Sequence, residues 1–298
     1  YIDFLFNKEA KDKFGVRVKV IQEIRRFMDS EGFIEVETPV LQVLAGGATA
    51  RPFETRINAL DMDVYLRIAP ELFLKRLLVG GFEKVYEIGK NFRNEGIDRD
   101  HNPEFTEVEF YAAYKDYEWL MEFTEKMFEN LVGNIFGKTK INYKDKEIDF
   151  KGPYKRINFN DLFREYSGID YDSSSEKDLA KKAKELDIVI EKTMTKGSIA
   201  DEIYKKIARP NIIQPTFVIN HPIEISPLSK RLKENPNYVA RMQLIAGAQE
   251  LINSYSELND PLDQKERFNE QKEISKKGNK EAHPYDQDFI EALEYGMP

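Results

Sequence analysis

At 298 residues and 41% apolar content, the chain is long enough for one large domain or two ordinary ones around a buried core. Its formal net charge of -8 advertises no overall attraction to polyanions, so any nucleic acid would have to meet a local basic patch. With no cysteine, the chain has no disulfide, thiolate metal site or cysteine nucleophile, which fits a reducing compartment.

The first residues, YIDFLFNKEAKDKF, lack the apolar stretch and cleavage site of a signal peptide. Nowhere do about eighteen apolar residues run together, so no membrane span and a cytoplasmic location are expected. From Lys11 to Ser30, apolar residues recur at helical spacing (Phe14, Val18, Ile21, Ile24, Phe27, Met28), with Gly32 as the stop. The run FIEVETPVL alternates Phe33, Glu35 and Glu37 against Ile34, Val36 and Thr38 and predicts a strand ending at Pro39. AGGATARPF reads as a loop and DMDVYLRIA as a strand. PELFLKRLLVGG reads as a helix with Pro70 at its first position. KVYEIGKNFRNE and EFTEVEFYAAY predict an antiparallel hairpin around the polar segment GIDRDHNP. A helix follows from about Asp116 to Gly133, then a strand-like stretch through Phe150. The Lys-, Glu- and Ser-rich segment from about 160 to 210 predicts a helical insertion on the rim of the sheet. Strand signals return in PTFVINHPIEI and in VARMQLIAGAQELINSYSEL. A charged helix (PLDQKERFNEQKEISKKG) and a shorter one ending in EYGMP close the chain. Because strands and helices do not alternate regularly, one α+β domain with an inserted helical part accounts for the order.

Strand parity brings candidate chemistry together. EFTEVEFY places Phe105, Glu107, Glu109 and Tyr111 on one face, and INSYSELN does the same for Asn253, Tyr255 and Glu257. Two such aromatic and anionic strips would suit a cationic ligand, since an ammonium among carboxylates and a tyrosine hydroxyl receives charge-assisted hydrogen bonds. Alternating acids also mark solvated sheet faces, and periodicity alone does not choose between the two. Arg93 and Glu95 are expected on one face of NFRNE, with Arg99 and His101 in the connecting loop, where a basic loop could close over a polyphosphate. Glu71 sits in the first turn of its helix, where the dipole favours a carboxylate.

The ordered set GFIEVETPVL, GGATARPF, RIAPELFLKRLLVGGF, NFRNEG, HNPEFTEVEFYAAY and SELNDPLDQKERF resembles class II lysyl-tRNA synthetases over nearly the whole chain. The resemblance implies a class II antiparallel sheet flanked by helices. It also implies ATP-dependent activation of L-lysine to lysyl-adenylate, transfer to tRNA(Lys), and a homodimer formed through the Gly32–Pro39 region. By matching position, Arg93 would bind the α-phosphate and the lysine carboxylate. Glu95, His101 and Asn102 would contact adenine or phosphates, and Phe105 would stack on the adenine. Glu71 would hold the α-amino group, and Glu109 with Tyr111 the ε-ammonium. Asn253, Tyr255 and Glu257 would complete the pocket, and Gly47 belongs to the loop that closes over the amino acid.

The sequence departs from the family in one metal position. Two metal-binding glutamates are expected seven residues apart; the second matches Glu250, but Gln243 stands at the first, so weaker magnesium binding through Glu250 and Gln243 is expected. The resemblance also implies a glycine-rich third motif after Pro298 and an anticodon-binding barrel before Tyr1, which would make the chain an incomplete catalytic domain. Two other activities fit the same pattern: a paralogue that lysylates a translation factor, and a noncatalytic lysine-sensing module. Aspartyl and asparaginyl synthetases share the scaffold, but their pockets need cationic groups for the side chain.

Overall fold

The computed structural model describes residues 1–98, 101–191, 193–279 and 281–298. A short helix α1 (Ile2–Phe6) leads into α2 (Lys8–Ser30), which starts earlier than its apolar periodicity suggests because the Asn7 side chain caps the Ala10 N–H. The strand expected through Pro39 is reduced to β1 (Ile34–Glu35), paired in parallel with Val85 and Tyr86. It stops because the Thr38 N–H and hydroxyl turn to the Glu87 carboxylate, at 3.2 and 2.7 Å, instead of to a neighbouring strand.

Next come β2 (Leu41–Gln42), β3 (Phe53–Ile57) and β4 (Met62–Leu66), which form a small sheet in the order β2-β4-β3. Here the sequence reading placed a loop through Phe53, and β3 instead pairs antiparallel with β4 over its whole length. Helix α3 (Glu71–Val79) begins one residue later than expected, with Pro70 as its N-cap. The predicted hairpin is present as β5 (Lys84–Phe92) and β6 (Glu104–Ala112), in register Glu109 to Glu87 and Tyr111 to Val85. Helix α4 (Tyr117–Phe136), capped by Asp116, runs past Gly133 to a left-handed Gly137. A hairpin of β7 (Lys140–Tyr143) and β8 (Lys146–Asp149) follows.

Strand β9 (Lys155–Asn158), which lacks the length to show a period, pairs in parallel with β10 (Thr216–Pro222). Between them lie α5 (Phe159–Ser167), α6 (Glu176–Glu185) and α7 (Lys196–Ile203), the last continuing as a π turn to Ala208. This segment shares a core with the sheet: Phe159, Phe163, Leu179, Ile203 and Tyr204 pack with Val218, Tyr238 and Ile245. Strands β11 (Tyr238–Ala246) and β12 (Gln249–Tyr255) complete the sheet β12-β11-β10-β9, and α8 (Pro261–Lys276) and α9 (Gln287–Tyr295) pack with α3 around Phe268, Phe289 and Leu74. Antiparallel pairs flanked by helices dominate, in agreement with the α+β expectation. Among the described residues no helix is long and apolar enough to cross a membrane.

Two features of this frame position the site. Strands β6 and β12 are edge strands of different sheets, and their residues line one cavity between them. Below it, Arg67 and Glu87 form a buried ion pair at 2.5 Å, and Arg67 also donates to the Lys90 carbonyl at 2.9 Å. A Cβ at residue 89 would lie 2.1 Å from Arg67 Nη2, so Gly89 is required for the pair to pass under β5.

Candidate active site

The cavity holds about 730 Å³ and is lined from both strand edges, from the first turn of α3 and from the loop at Gly47. Glu71, Arg93, Glu107, Glu109, Tyr111, Gln243, Glu250, Asn253, Tyr255 and Glu257 all face it, so the two strips predicted by parity meet across one space. Gly47 has φ +88°, and a Cβ there would sit 2.9 Å from Glu71 Cβ, so the close approach of this loop to the acid needs glycine.

Burial makes these groups strongly interacting. Glu71 is 6% exposed, and its Oε1 accepts the Tyr255 hydroxyl and, at 2.5 Å, the ammonium of Lys75. Lys75 Nζ also lies 2.6 Å from Glu257 Oε2, a contact ion pair without the alignment of a directed hydrogen bond. Tyr111 donates to Glu109 Oε2 at 3.1 Å. Burial, with Glu107 and Glu71 nearby, pushes the Glu109 carboxyl well above the ordinary range. Burial likewise pushes Glu257 up to about 7, against the pull of Lys75. Burial is also the first cause of the raised pKa values of Glu107, Tyr111 and Tyr255. A cavity whose acids resist ionising alone favours a ligand that brings positive charge.

The structure does not bring the whole predicted set into this space. Strand β5 ends at Phe92, and Arg93 and Asn94 bond through their N–H groups to the carbonyls of Pro103 and Arg51. Arg93 and Glu95 therefore do not share a strand face as expected: Arg93 faces the cavity, while the Glu95 carboxylate accepts the Arg51 N–H at 3.3 Å. His101 pairs with Asp98 at 2.8 Å, and Asn102 donates to the Glu104 carbonyl at 2.8 Å. Phe105 carries the Arg93 guanidinium 4.9 Å from its ring centre. Glu95, His101, Asn102 and Phe105 do not line the cavity, and Arg99 falls outside the described residues.

A sequence profile of class II tRNA synthetases (D, K and N) matches residues 1–298. The chain belongs to this family. It is 50% identical to a lysine–tRNA ligase of Porphyromonas gingivalis over all of this chain and 52% of that protein. To the lysine–tRNA ligase of Aquifex aeolicus it is 52% identical, over all of this chain and 50% of that protein. With that of Carboxydothermus hydrogenoformans the identity is 50%, over 61% of the relative. The chain spans about half the length of the first curated relatives it matches.

Class II synthetases use ATP as a substrate and typically need magnesium. In this class II chain Gln243 does not turn its carbonyl to the cavity as a weak metal ligand: its Nε2 donates to Glu250 Oε2 at 3.0 Å, while its Oε1 faces His221 Nε2 at 3.2 Å. An amide donor beside Glu250 opposes a cation, and no group of three or more His, Asp or Glu able to hold a metal occurs among the described residues. The Gln243 and Glu250 pair, so arranged, does not fit a resident ion. Glu250 is itself held up by burial, with Arg241 pulling it down.

Lys75, paired with two of the lining acids, was missed by sequence reasoning, as were Asp201, Lys205, Arg241 and His283 of the cavity lining. The Lys75 signal was present as the i, i+4 spacing from Glu71, but such pairs are common on exposed helix faces, and only the packing of α3 against β5, β6 and α9 turns this one inward.

Proposed function

We propose that this chain is the catalytic domain of a lysine–tRNA ligase, activating L-lysine with ATP to lysyl-adenylate and transferring the lysyl group to tRNA(Lys) in the cytoplasm. One observation carries the reading: the acids Glu71, Glu109 and Glu257 converge with Tyr111 and Tyr255 on a cavity that also holds Arg93. Lysine has two ammonium groups and one carboxylate, and the cavity offers acids for the first and an arginine for the second. An aspartate side chain would meet the wrong charge here, and the neutral asparagine amide brings no positive charge to these acids. The lysine–tRNA ligase relatives support the same choice.

In this reading Glu71 receives the α-ammonium, Glu109 with Tyr111 and Glu257 the ε-ammonium, and Asn253 and Tyr255 close the wall beside them. Arg93 holds the substrate carboxylate against the α-phosphate. The carboxylate oxygen attacks the α-phosphorus, the bond to the bridging oxygen of pyrophosphate breaks, and Arg93 stabilises the charge on the phosphoryl oxygens. No residue has to move a proton in that step; in the second, the terminal tRNA hydroxyl oxygen bonds to the lysyl carbonyl carbon, the bond from that carbon to the phosphate oxygen breaks, and AMP leaves with the hydroxyl's proton on its phosphate. Phe105 carries Arg93, which lines the cavity, so an adenine on Phe105 would replace the Arg93 guanidinium there, and Glu95, His101 and Asn102 would reach the nucleotide once it rearranges the loop that holds them.

A homodimer through the Gly32–Pro39 region is supported by the exposed apolar groups Ile34, Val40, Leu41, Val43 and Leu44 in and beside it.

The test is lysine-dependent exchange between ATP and labelled pyrophosphate, with the chain joined to the sequence that flanks it in its gene. Exchange with lysine and with no other amino acid is expected. Lysine binding with no exchange would replace this reading by the lysine-sensing module, which the hydrogen-bonded Gln243 and Glu250 would then explain.

A further inference from the structure

Lys75 lies one turn after Glu71 on α3 and is 1% exposed. It is not among the residues that line the cavity, whereas both of its partners, Glu71 and Glu257, are. The ammonium thus sits behind the wall, with carboxylates between it and the ligand space. Its Nζ is 2.5 Å from Glu71 Oε1 and 2.6 Å from Glu257 Oε2, and 5.2, 5.8 and 6.0 Å from the ring centres of Tyr255, Tyr111 and Phe289. An ammonium taken out of water is strongly destabilised unless it is paired and its hydrogens are met. This one is compensated by two carboxylates and the faces of three rings.

We propose that Lys75 is a positioning residue for the ligand's ammonium groups, a resident counter-ion that holds the Glu71 and Glu257 carboxylates in place and charged. The proposal rests on reading the cavity as a pocket for lysine. Two acids sharing one fixed cation present one net negative charge to the cavity instead of two, and they keep their orientation before the ligand arrives. Glu71 spends Oε1 on Lys75 and Tyr255, which leaves Oε2 for the ligand. Glu109 differs in geometry: its hydrogen bond is to a tyrosine hydroxyl rather than to an ammonium. The titratable groups around Lys75 are Glu71 on α3, Glu109 and Tyr111 on β6, Tyr255 and Glu257 at the end of β12, and the buried His283 before α9.

The experiment compares wild type with Lys75→Met by carbon-13 NMR titration of the carboxyl groups without ligand and by calorimetric binding of L-lysine. In Lys75→Met, Glu257 is expected to titrate at least about one pH unit higher, and the lysine Kd at pH 7.5 to rise about tenfold or more and recover partly as pH rises. An unchanged Glu257 titration with a Kd within about twofold of wild type would overturn the proposal. If Lys75→Met does not fold, the neutral pair Lys75→Met with Glu257→Gln takes its place. A Kd at least about threefold above that of Glu257→Gln alone is expected, because Lys75 still holds Glu71 in that variant, and a Kd equal to it would overturn the proposal. A wild type that binds no lysine would sink the reading of the pocket, while the NMR titration would still decide the role of Lys75.

Discussion

Tyr255, at the end of β12, donates its hydroxyl to the Glu71 carboxylate in the first turn of α3, a hydrogen bond that joins positions 184 residues apart. It ties the second sheet to the helix that carries the acid, so the width of the pocket depends on it. A hydrogen bond to a buried charge contributes roughly 1.5–3 kcal/mol. Tyr255→Phe keeps the ring over Lys75 and removes the donor. The expected result is a lysine Kd raised about tenfold with a native circular dichroism spectrum. A change of less than about twofold in calorimetry would mean that Glu71 needs no such support.

Gly47 and Gly81 both have positive φ, +88° and +95°, but only Gly47 has neighbours within reach of a Cβ, with Glu71 Cβ at 2.9 Å and Ala69 Cβ at 3.3 Å. Alanine at either position carries the left-handed backbone penalty of about 1–2 kcal/mol. Gly47→Ala must in addition push Glu71 aside. Both variants should therefore melt earlier than wild type, Gly47→Ala by more, and only Gly47→Ala should lose lysine affinity, by about tenfold or more. Equal affinities in the two variants would remove the loop from the pocket.

Gln243 turns a donor toward Glu250, and the pair makes a poor cradle for a cation. Gln243→Glu would put two carboxylates there, and a divalent ion would bind in place of the amide hydrogen bond. Titration of manganese without nucleotide, followed by electron paramagnetic resonance, should show at least about tenfold tighter binding than in wild type. An identical isotherm would show that residue 243 does not face a cation site.

His221 is fully buried against Phe159, and burial, with Arg241 close by, pulls its pKa down to about 3. The folded protein keeps it neutral, while the unfolded chain takes a proton near pH 6.5. Between pH 6.5 and about 3 the unfolded state binds more protons, so this residue lowers stability as pH falls, by at most about 1.4 kcal/mol per pH unit. Glu257, raised to about 7, works in the opposite direction above its unfolded pKa, because burying it charged costs stability as pH rises. The comparison must therefore be between variants. From pH 6.5 to 5, His221→Phe should lose about 1–2 kcal/mol less than wild type in urea unfolding. Parallel pH profiles would show that His221 is protonated in the fold.

Much of the site was legible because a strand has a strict two-residue period. Glu107, Glu109 and Tyr111 fell on one face of β6 by counting alone, and Asn253 and Tyr255 aligned on β12 in the same way, with Glu257 two residues past the strand's end. The helices were legible wherever apolar residues recurred over several turns, as in α2 and α4, and their ends shifted with the caps at Asn7 and Asp116. Short elements failed: β9 and the β3 strand have too few residues for a period to show, and β1 was overextended because the sequence gives no sign that Thr38 turns to a side chain. The placement of Arg93 and Glu95 on one face failed for a similar reason, since β5 ends one residue before the pattern was counted.

Local pattern carried the family, the element order and which residues share a strand face, because periodicity, capping and turn chemistry act over a few residues. Tertiary structure decided what those faces meet. That β6 and β12 look into one cavity, that Lys75 points inward between Glu71 and Glu257, and that the Gln243 amide turns its nitrogen to Glu250 all depend on contacts between distant segments. Buried charge raises the stakes of such contacts: in a low-dielectric interior, the partner chosen sets whether a carboxylate is ionised, and no local stretch of chain contains that partner.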